Sequence, residues 1–580
     1  MPTNQLTFRI GGQAGQGVES GGAGFAKALA RGGLHVFGLP DYMSRVRGGH
    51  NFYSVRVAEE PVLGLPADVH LLLALDAATV AQHYEEIVPG GGIIYDEAIS
   101  VEAERLRERG VRAFPVPLVQ IAREVGNEIM ANTGALAAAA GVVSYDLEMI
   151  QSVVRDNFGR KGARVVEANL EVARRTYDYA HERYAEGFPH RVTAIPGAPR
   201  RMVISGTQAF CLGAVMGGCR FVAAYPMTPS TGVIEWMAGH GERYGVLAKH
   251  VEDEIAAICT AIGANHAGVR GMASTSGGGF SLMVEAFGLA GMTETPLVIY
   301  EAQRPGPATG MPTRTEQADL LFLLHAAQGE FPRLIVAPGT VEDMFHAGWR
   351  AFNLAEKYQT PVVVLADELI ANSVRTVERS ELGFEGVRID RGLTLTDADL
   401  EALEEPYLRY RVTETGISPR AIPGHPKGVF QACSDEHDEA GHFDDENAEN
   451  RVRMVAKRMR KEQAALADMR LPTRYGPADA DLTLVCWGST YGAAYEAVNL
   501  LNADGGSRAA MLHFSDLWPL AEERVRPLLE KEKRLVGVES NYTGQLALLL
   551  RAHTGVHIPE RILRYDGRPI TSQYILDHLK

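Results

Sequence analysis

Short apolar runs recur along the chain, separated by Gly- or Pro-bearing turns and by stretches with helical spacing. LTFRI (6–10), VHLLLALD (69–76) and GGIIYD (91–96) are near-continuous apolar runs. That pattern predicts strands buried on both faces, as in parallel sheets. Between them, GGQAGQGVESGGAG reads as a glycine-dense turn, FAKALARGG as a helix ending at Gly32-Gly33, and HVFGLP as a second extended run. A further helix is predicted near 160–186, before the Pro- and Gly-rich segment GFPHRVTAIPGAPRRM. Strands recur at RFVAAY, GMASTS, PLVIYEA, PRLIVAP and PVVVLAD, with helices between them. After Asn372 the periodicity weakens through an acidic patch, SDEHDEAGHFDDENAEN, and a basic helix, RVRMVAKRMRKEQAALADM. The strand pattern returns at LTLVCWG, RAAMLHFS and RLVGVES. The expected organisation is α/β throughout: a domain over 1–190, a linker over 191–202, a second domain over 203–375, a connector over 376–477 and a third domain over 478–580.

Composition narrows the classes. The chain has 580 residues, 46% hydrophobic and 22% charged, with a net charge of −15. This balance disfavours a nucleic-acid partner. No apolar run reaches the 18 residues of a membrane span, and MPTNQLTFRIGG lacks the basic region and apolar core of a signal peptide. No membrane association is expected, and the expected compartment is the cytoplasm. The five cysteines, Cys211, Cys219, Cys259, Cys433 and Cys486, form no CxxC pair. They read as structural thiols, so neither zinc nor an iron–sulfur cluster is expected on this chain.

Three stretches carry candidate chemistry. In AYPMTPSTGVIEWM, two prolines bracket Thr228 at the predicted carboxyl end of a strand, where open α/β sheets bind ligands. Pro226 and Pro229 make the turn non-helical and line up the hydroxyls of Thr228, Ser230 and Thr231 at a helix start. The simpler reading is an N-cap with proline punctuation. In HVEDEIAAICTAIGANHAGVRGMASTSGGGFSLMVEAFG, Glu252, Asp253 and Glu254 precede a small-residue helix, which the helix dipole alone would favour. Ser274 to Gly279 reads as a loop that lets a ligand approach the backbone. In YEAQRPGPATGMPTRTEQADL, Arg304 leaves a buried strand directly into Pro-Gly-Pro. A fixed guanidinium there suits a carboxylate, and a surface loop arginine is the alternative.

Together these stretches resemble the α-subunit of the 2-oxoacid:ferredoxin oxidoreductases. The resemblance rests on YPMTPST, EDEIAAICTAIGA, TSGGGFSLMVEAFG, QRPGPATGMPTRTEQADL and LADELIANS, in that order. GGQAGQGV and SRVRGGHN look like the family's γ-domain fused ahead of α, and PGHPKG, VESNYTGQLALLLR and GRPITS extend the likeness to the tail. The implied fold is a γ-type domain, then a thiamine diphosphate pyrimidine-type domain, then a transketolase C-terminal-like domain. The implied roles are Glu254 at the pyrimidine N1′, Thr228 and Arg304 on the substrate with Thr313 beside them, and Ser276 on the thiamine side. For coenzyme A the resemblance points to the γ-type domain, at Arg45, Arg47, Gly48 and Asn132. A domain that merely packs on α is the alternative there.

The chain shows no diphosphate-binding GDG…N motif. The resemblance therefore implies a β-subunit carrying the diphosphate–Mg²⁺ site and a [4Fe–4S] cluster, ferredoxin as electron partner, a dimer of γα/β heterodimers, and inactivity of this chain alone. Members with γ fused ahead of α often act on 2-oxoglutarate, the first substrate expectation. Pyruvate, branched-chain and aryl oxoacids, and a non-catalytic CoA-binding scaffold, are the rivals.

Overall fold

A computed structural model describes residues 3–43, 49–66, 68–503 and 508–579. The chain forms two compact units. One comprises Met1–Ile204, Asn372–Glu381 and Thr571–Tyr574, and the other Ser205–Ala371, Leu382–Ile570 and Ile575–Lys580.

The first unit is built on an eight-stranded mixed sheet. Its order is Arg112–Val116, Ile87–Asp96, Val69–Ala74, Leu6–Gln13, His50–Ala58, His35–Asp41, Val374–Val377 and Met202–Ser205. The runs read as parallel are parallel: Val69–Ala74 pairs in that sense with both Leu6–Gln13 and Ile87–Asp96. The glycine-dense segment divides differently from the sequence expectation. The turn ends at Gly17, and VESGGAG already belongs to the helix Val18–Arg31. Its glycines permit close packing rather than a loop, since a Cβ on Gly22 would lie 2.6 Å from the Cβ of Tyr53. The segment expected as a linker lies against this unit. Val192 N–H donates to the Val143 carbonyl, Thr193 N–H to Asn4 Oδ1 and Ile195 N–H to the Gly32 carbonyl. Two strands from beyond the expected first-domain boundary, Met202–Ser205 and Val374–Val377, complete the sheet.

The second unit holds two sheets. The larger runs Asp516–Trp518, Leu334–Val336, Pro361–Asp367, Leu297–Gln303, Gly271–Thr275, Phe221–Ala224 and Leu247–His250. All its pairings are parallel except that of Asp516–Trp518, which enters antiparallel from the C-terminal part of the chain. The smaller sheet runs Thr473–Tyr475, Ala509–Phe514, Leu482–Trp487, Leu535–Glu539 and Glu560–Leu563. One apolar core joins them, from Phe280, Phe287 and Ile299 through Val363 to Trp487 and Phe514.

Residues 382–472 belong to this unit and are mostly irregular chain, with the short helix Asp397–Glu401 and the long helix Ala448–Ala465. The basic helix is anchored by buried charge. Lys457 Nζ donates to both oxygens of Glu294, at 2.5 and 2.7 Å, and Lys461 pairs with the same carboxylate. Arg458 binds Glu436 of the acidic patch at 2.9 Å. Glu356 likewise gathers Arg270, Arg391 and Arg420. Such pairs add little net stability, but removing one partner strands the other charge in the interior.

Candidate functional site

Three neighbouring parallel strands end at one edge of the larger sheet, and each delivers a candidate group. Phe221–Ala224 leads into the Pro-bracketed turn, Gly271–Thr275 into Ser276, and Leu297–Gln303 into Arg304. Ser230 does not cap the following helix with its side chain. It is buried, and its hydroxyl donates to the Met227 carbonyl at 2.8 Å, which fixes the turn. Arg304 then crosses to it: Nη1 donates to the Thr228 carbonyl at 2.6 Å. The guanidinium Nε is buried without an acceptor. An unsatisfied charged donor costs several kcal/mol unless a ligand supplies the acceptor. Arg304 and Thr228, 76 residues apart in sequence, are thus tied together at this edge.

Glu254 lies at the start of the helix Glu254–His266, behind Asp253, whose carboxylate accepts from Ala256 N–H at 2.7 Å. Of the three acids read in the sequence, Glu252 and Asp253 are exposed and Glu254 is buried, at 3% exposure. Its Oε1 has no hydrogen-bond partner. Burial pushes the Glu254 carboxyl above its usual range, and the nearby Asp253 adds to the rise. The carboxyl is admitted by Gly279, where a Cβ would lie 2.5 Å from Glu254 Oε1. The Gly277–Gly279 run, expected as a loop, is the first turn of the helix Gly277–Met292. Its N-cap residue Ser276 is fully buried, and its hydroxyl makes neither a capping bond nor any other. Glu254 Oε1 and the Ser276 hydroxyl are the kind of unpaired polar atoms a heteroaromatic cofactor with ring nitrogens satisfies.

The loop after Arg304 is clasped from the smaller sheet. Gln317 Nε2 donates to the Trp487 carbonyl at 2.9 Å, its Oε1 accepts from Ser540 N–H, and its carbonyl accepts from Asn541 Nδ2. Thr315 Oγ1 accepts from Leu369 N–H, and Thr313 is buried in the same loop. The sequence reading did not single out Gln317, and it placed Gly279 in a ligand-approach loop rather than against Glu254. The signal was present in TEQADL, TSGGGF and VESNYTG, but nothing along the chain says that the first and last of these meet.

In the first unit, Asn132 Nδ2 donates to the Gln16 carbonyl at 2.6 Å and so holds the glycine turn. A cavity of about 520 Å³ opens there, lined among others by Gly17, Ser20, Lys27, Asn132 and Lys161. Arg45, Arg47 and Gly48 lie outside the described residues.

Comparison with known proteins follows this geometry. A family model described as pyruvate flavodoxin/ferredoxin oxidoreductase, thiamine diphosphate-binding, matches residues 212–457. One described as pyruvate ferredoxin/flavodoxin oxidoreductase matches 7–179, and the transketolase C-terminal domain matches 474–564. The 2-oxoacid:ferredoxin oxidoreductase subunit alpha of Saccharolobus solfataricus is 31% identical over 99% of this chain and 97% of its own length. The chain belongs to the 2-oxoacid:ferredoxin oxidoreductases. A 2-oxoglutarate oxidoreductase subunit KorA from Mycobacterium tuberculosis is 29% identical over 94% of this chain and 87% of its own. The solved 2-oxoglutarate:ferredoxin oxidoreductase from Magnetococcus marinus, with 2-oxoglutarate, coenzyme A and succinyl-CoA bound, superposes with a TM-score of 0.92 at 32% identity, over 99% of this chain and 98% of that one. These oxidoreductases are an enzyme family, and relatives named alpha subunits imply an assembly of several chains. Among the described residues, no helix is long and apolar enough to cross a membrane.

Proposed function

We propose that this chain is the fused γα-subunit of an enzyme that interconverts 2-oxoglutarate, CoA and two oxidised ferredoxins with succinyl-CoA, CO₂, a proton and two reduced ferredoxins. The observation that carries the reading is the unsatisfied Arg304 Nε beside Thr228, on the edge where the buried Glu254 Oε1 is also unpaired. The Magnetococcus marinus neighbour supports the choice of 2-oxoglutarate and CoA. In this reading, residues 1–190 are a γ-type domain, 203–375 the pyrimidine-type domain and 478–580 the transketolase C-terminal-like domain, with 191–202 as linker and 376–477 as connector.

Thiamine diphosphate, when bound, would supply the nucleophilic carbon needed at the oxoacid carbonyl. Glu254 holds the proton at pyrimidine N1′, and its burial suits a shared proton between acid and ring. Ser276 gives a hydroxyl on the thiamine side. Arg304 binds the C1 carboxylate through charge-assisted hydrogen bonds, Thr228 orients it, and Thr313 shapes the loop beside it. CoA takes the cavity at Asn132 and the glycine turn, with Arg45, Arg47 and Gly48 contributing from the same domain. Mg²⁺, the diphosphate site and the [4Fe–4S] cluster belong to a β-subunit, and ferredoxin accepts the electrons. Exposed Tyr225, Ile255 and Leu282, on the turn and helices that carry Thr228, Glu254 and Ser276, suit a partner subunit, giving a dimer of γα/β heterodimers in the cytoplasm.

The test is coexpression with a β-subunit and CoA-dependent viologen reduction across 2-oxoglutarate, pyruvate, branched-chain and aryl oxoacids. The expected outcome is highest kcat/KM on 2-oxoglutarate. A preference for pyruvate or an aryl oxoacid would overturn the substrate assignment, and no CoA-dependent turnover on any of them would favour a non-catalytic scaffold.

A further inference from the structure

Two cavities of the first unit share Lys27 as a lining residue. One is the cavity of about 520 Å³ beside Asn132, and the other, of about 570 Å³, lies at the far end of the helix Val18–Arg31. Ser20, Gly24, Lys27 and Arg31 are spaced three and four apart, so they share one face of that helix. At a rise of about 1.5 Å per residue, the face runs about 16 Å from Ser20 to Arg31. The helix Leu147–Phe158 packs beside it and contributes Val153 and Phe158 to the first cavity and Ser152 to the second. With Leu136, Val153 and Phe158 give the first cavity an apolar side.

The second cavity is basic. Lys27, Arg31, Arg200 and Arg201 line it, and no acid is among its lining residues. Two carboxylates reach these cations from outside the lining. Asp156 takes both Lys27, at 3.1 Å, and Arg31, and Glu378 lies 3.4 Å from Arg201. Four positive charges against these two negative ones leave a net of two. Arg31 Nη1 also donates to Ser152 Oγ at 2.7 Å, which fixes its guanidinium on the wall. Arg201 is held more deeply. Its side chain is only 9% exposed, and Nη1 donates to the Gly33 carbonyl at 2.7 Å. Its Nε is buried without an acceptor. An unpaired guanidinium N–H in the interior is costly, and an anion with several acceptor oxygens satisfies it.

We propose that this basic cavity reads the 3′-phosphate of coenzyme A. The inference rests on the reading that CoA takes the neighbouring cavity. Its net of two positive charges matches the charge of about −2 on a phosphate monoester near neutrality. The order of groups along CoA also matches the order of surfaces along the helix. The phosphate sits among Lys27, Arg31, Arg200 and Arg201. The adenine on the same ribose falls against Leu136, Val153 and Phe158. The diphosphate is then directed toward Gly17, where the first N–H groups of the helix Val18–Arg31 favour an anion. The reverse order would place the uncharged pantetheine in the basic cavity and leave Arg201 Nε without an acceptor. The cavity binds and orients, and it takes no part in bond making.

The experiment uses the assembled complex with its β-subunit and compares CoA with 3′-dephospho-CoA in the viologen assay. The wild-type KM is expected to be about tenfold or more higher for dephospho-CoA, which lacks the charge-assisted bonds to the 3′-phosphate. In the double variant Arg31→Ala/Arg200→Ala, the KM for CoA should rise toward that for dephospho-CoA, while the KM for dephospho-CoA stays near its wild-type value. Adenosine 3′,5′-bisphosphate should compete with CoA about tenfold better than AMP does, for the same reason. Equal wild-type KM for the two thiols, or full discrimination kept by the double variant, overturns the inference. Inorganic phosphate competing as well as the bisphosphate would mark a general anion site and overturn it too. If the double variant does not assemble, the wild-type KM ratio and the bisphosphate competition, repeated in Arg200→Ala alone, decide it. The two readings fail separately. Oxoacid turnover that needs no CoA sinks the CoA reading and this inference with it, whereas CoA-dependent turnover indifferent to the 3′-phosphate refutes this inference alone.

Discussion

Replacing Gly279 with alanine tests whether the site depends on the placement of one carboxyl group. Gly279 has helical backbone geometry, so alanine is conformationally allowed and gains about 0.5–1 kcal/mol of intrinsic helix preference. Space is the obstacle. The added methyl would lie 2.5 Å from Glu254 Oε1 and 2.7 Å from Glu254 Cγ, with Thr275 Oγ1 also against it. Comfortable non-bonded separation is about 3.5 Å, so the Glu254 carboxyl must retreat by about 1 Å. Overpacking of this kind costs about 1–3 kcal/mol, partly offset by the helix gain, so the fold should survive. A retreat of about 1 Å by a catalytic acid costs about 100-fold in rate, equivalent to about 2.7 kcal/mol of barrier. The assay is hydrogen–deuterium exchange at the thiazolium C2 in the coexpressed complex, followed by quenched-flow NMR. Gly288→Ala, on the same helix, is the control: its nearest neighbour, Ala327 Cβ, would lie at an ordinary 3.5 Å. Wild-type exchange in a cofactor-loaded Gly279→Ala complex would refute the argument, because Glu254 would then not need the position the structure gives it.

Glu254→Gln should assemble normally and lose C2 exchange by about 100-fold or more, since the amide cannot hold the N1′ proton; exchange at the wild-type rate would rule the role out. Arg304→Lys should lower kcat/KM more than Thr228→Val, because lysine lacks the planar fork, and the difference corresponds to about 1–2 kcal/mol. Neither change should alter the preference between 2-oxoglutarate and pyruvate; a switch in Arg304→Lys would show that Arg304 reads the distal carboxylate instead. Burial alone would raise the Glu294 carboxyl, but Lys457 and Lys461 overturn that and hold it well below the usual range. Its share of stability is therefore fully present above the unfolded value near 4.3 and fades only in strong acid. Glu294→Gln leaves two buried ammonium groups without their counter-charge and should cost about 3–5 kcal/mol. Denaturant unfolding at pH 7 measures it, and an unchanged midpoint would show that the lysines find water.

The chain's own pattern determined the strands, because a strand buried on both faces leaves an unbroken apolar run that needs no partner to be recognised, as in VHLLLALD and PLVIYEA. It also supplied the residue types at the strand ends: Thr228 between prolines, Glu254 before small residues, Arg304 before Pro-Gly-Pro. It left open which of Glu252, Asp253 and Glu254 turns inward, except through family resemblance, since all three satisfy a helix start equally. Burial of one and exposure of two settles that in three dimensions. The glycine runs were read as loops because glycine permits loops and close packing alike, and only the neighbours at Tyr53 and Glu254 distinguish the two. The basic helix was read only as part of a connector, yet Lys457 and Lys461 are buried on Glu294, 163 residues from the former. Long-range pairings of this kind, like Gln317 with Ser540 and Arg304 with Thr228, leave no local trace, because each residue's periodicity reports its own element and not the element it will meet.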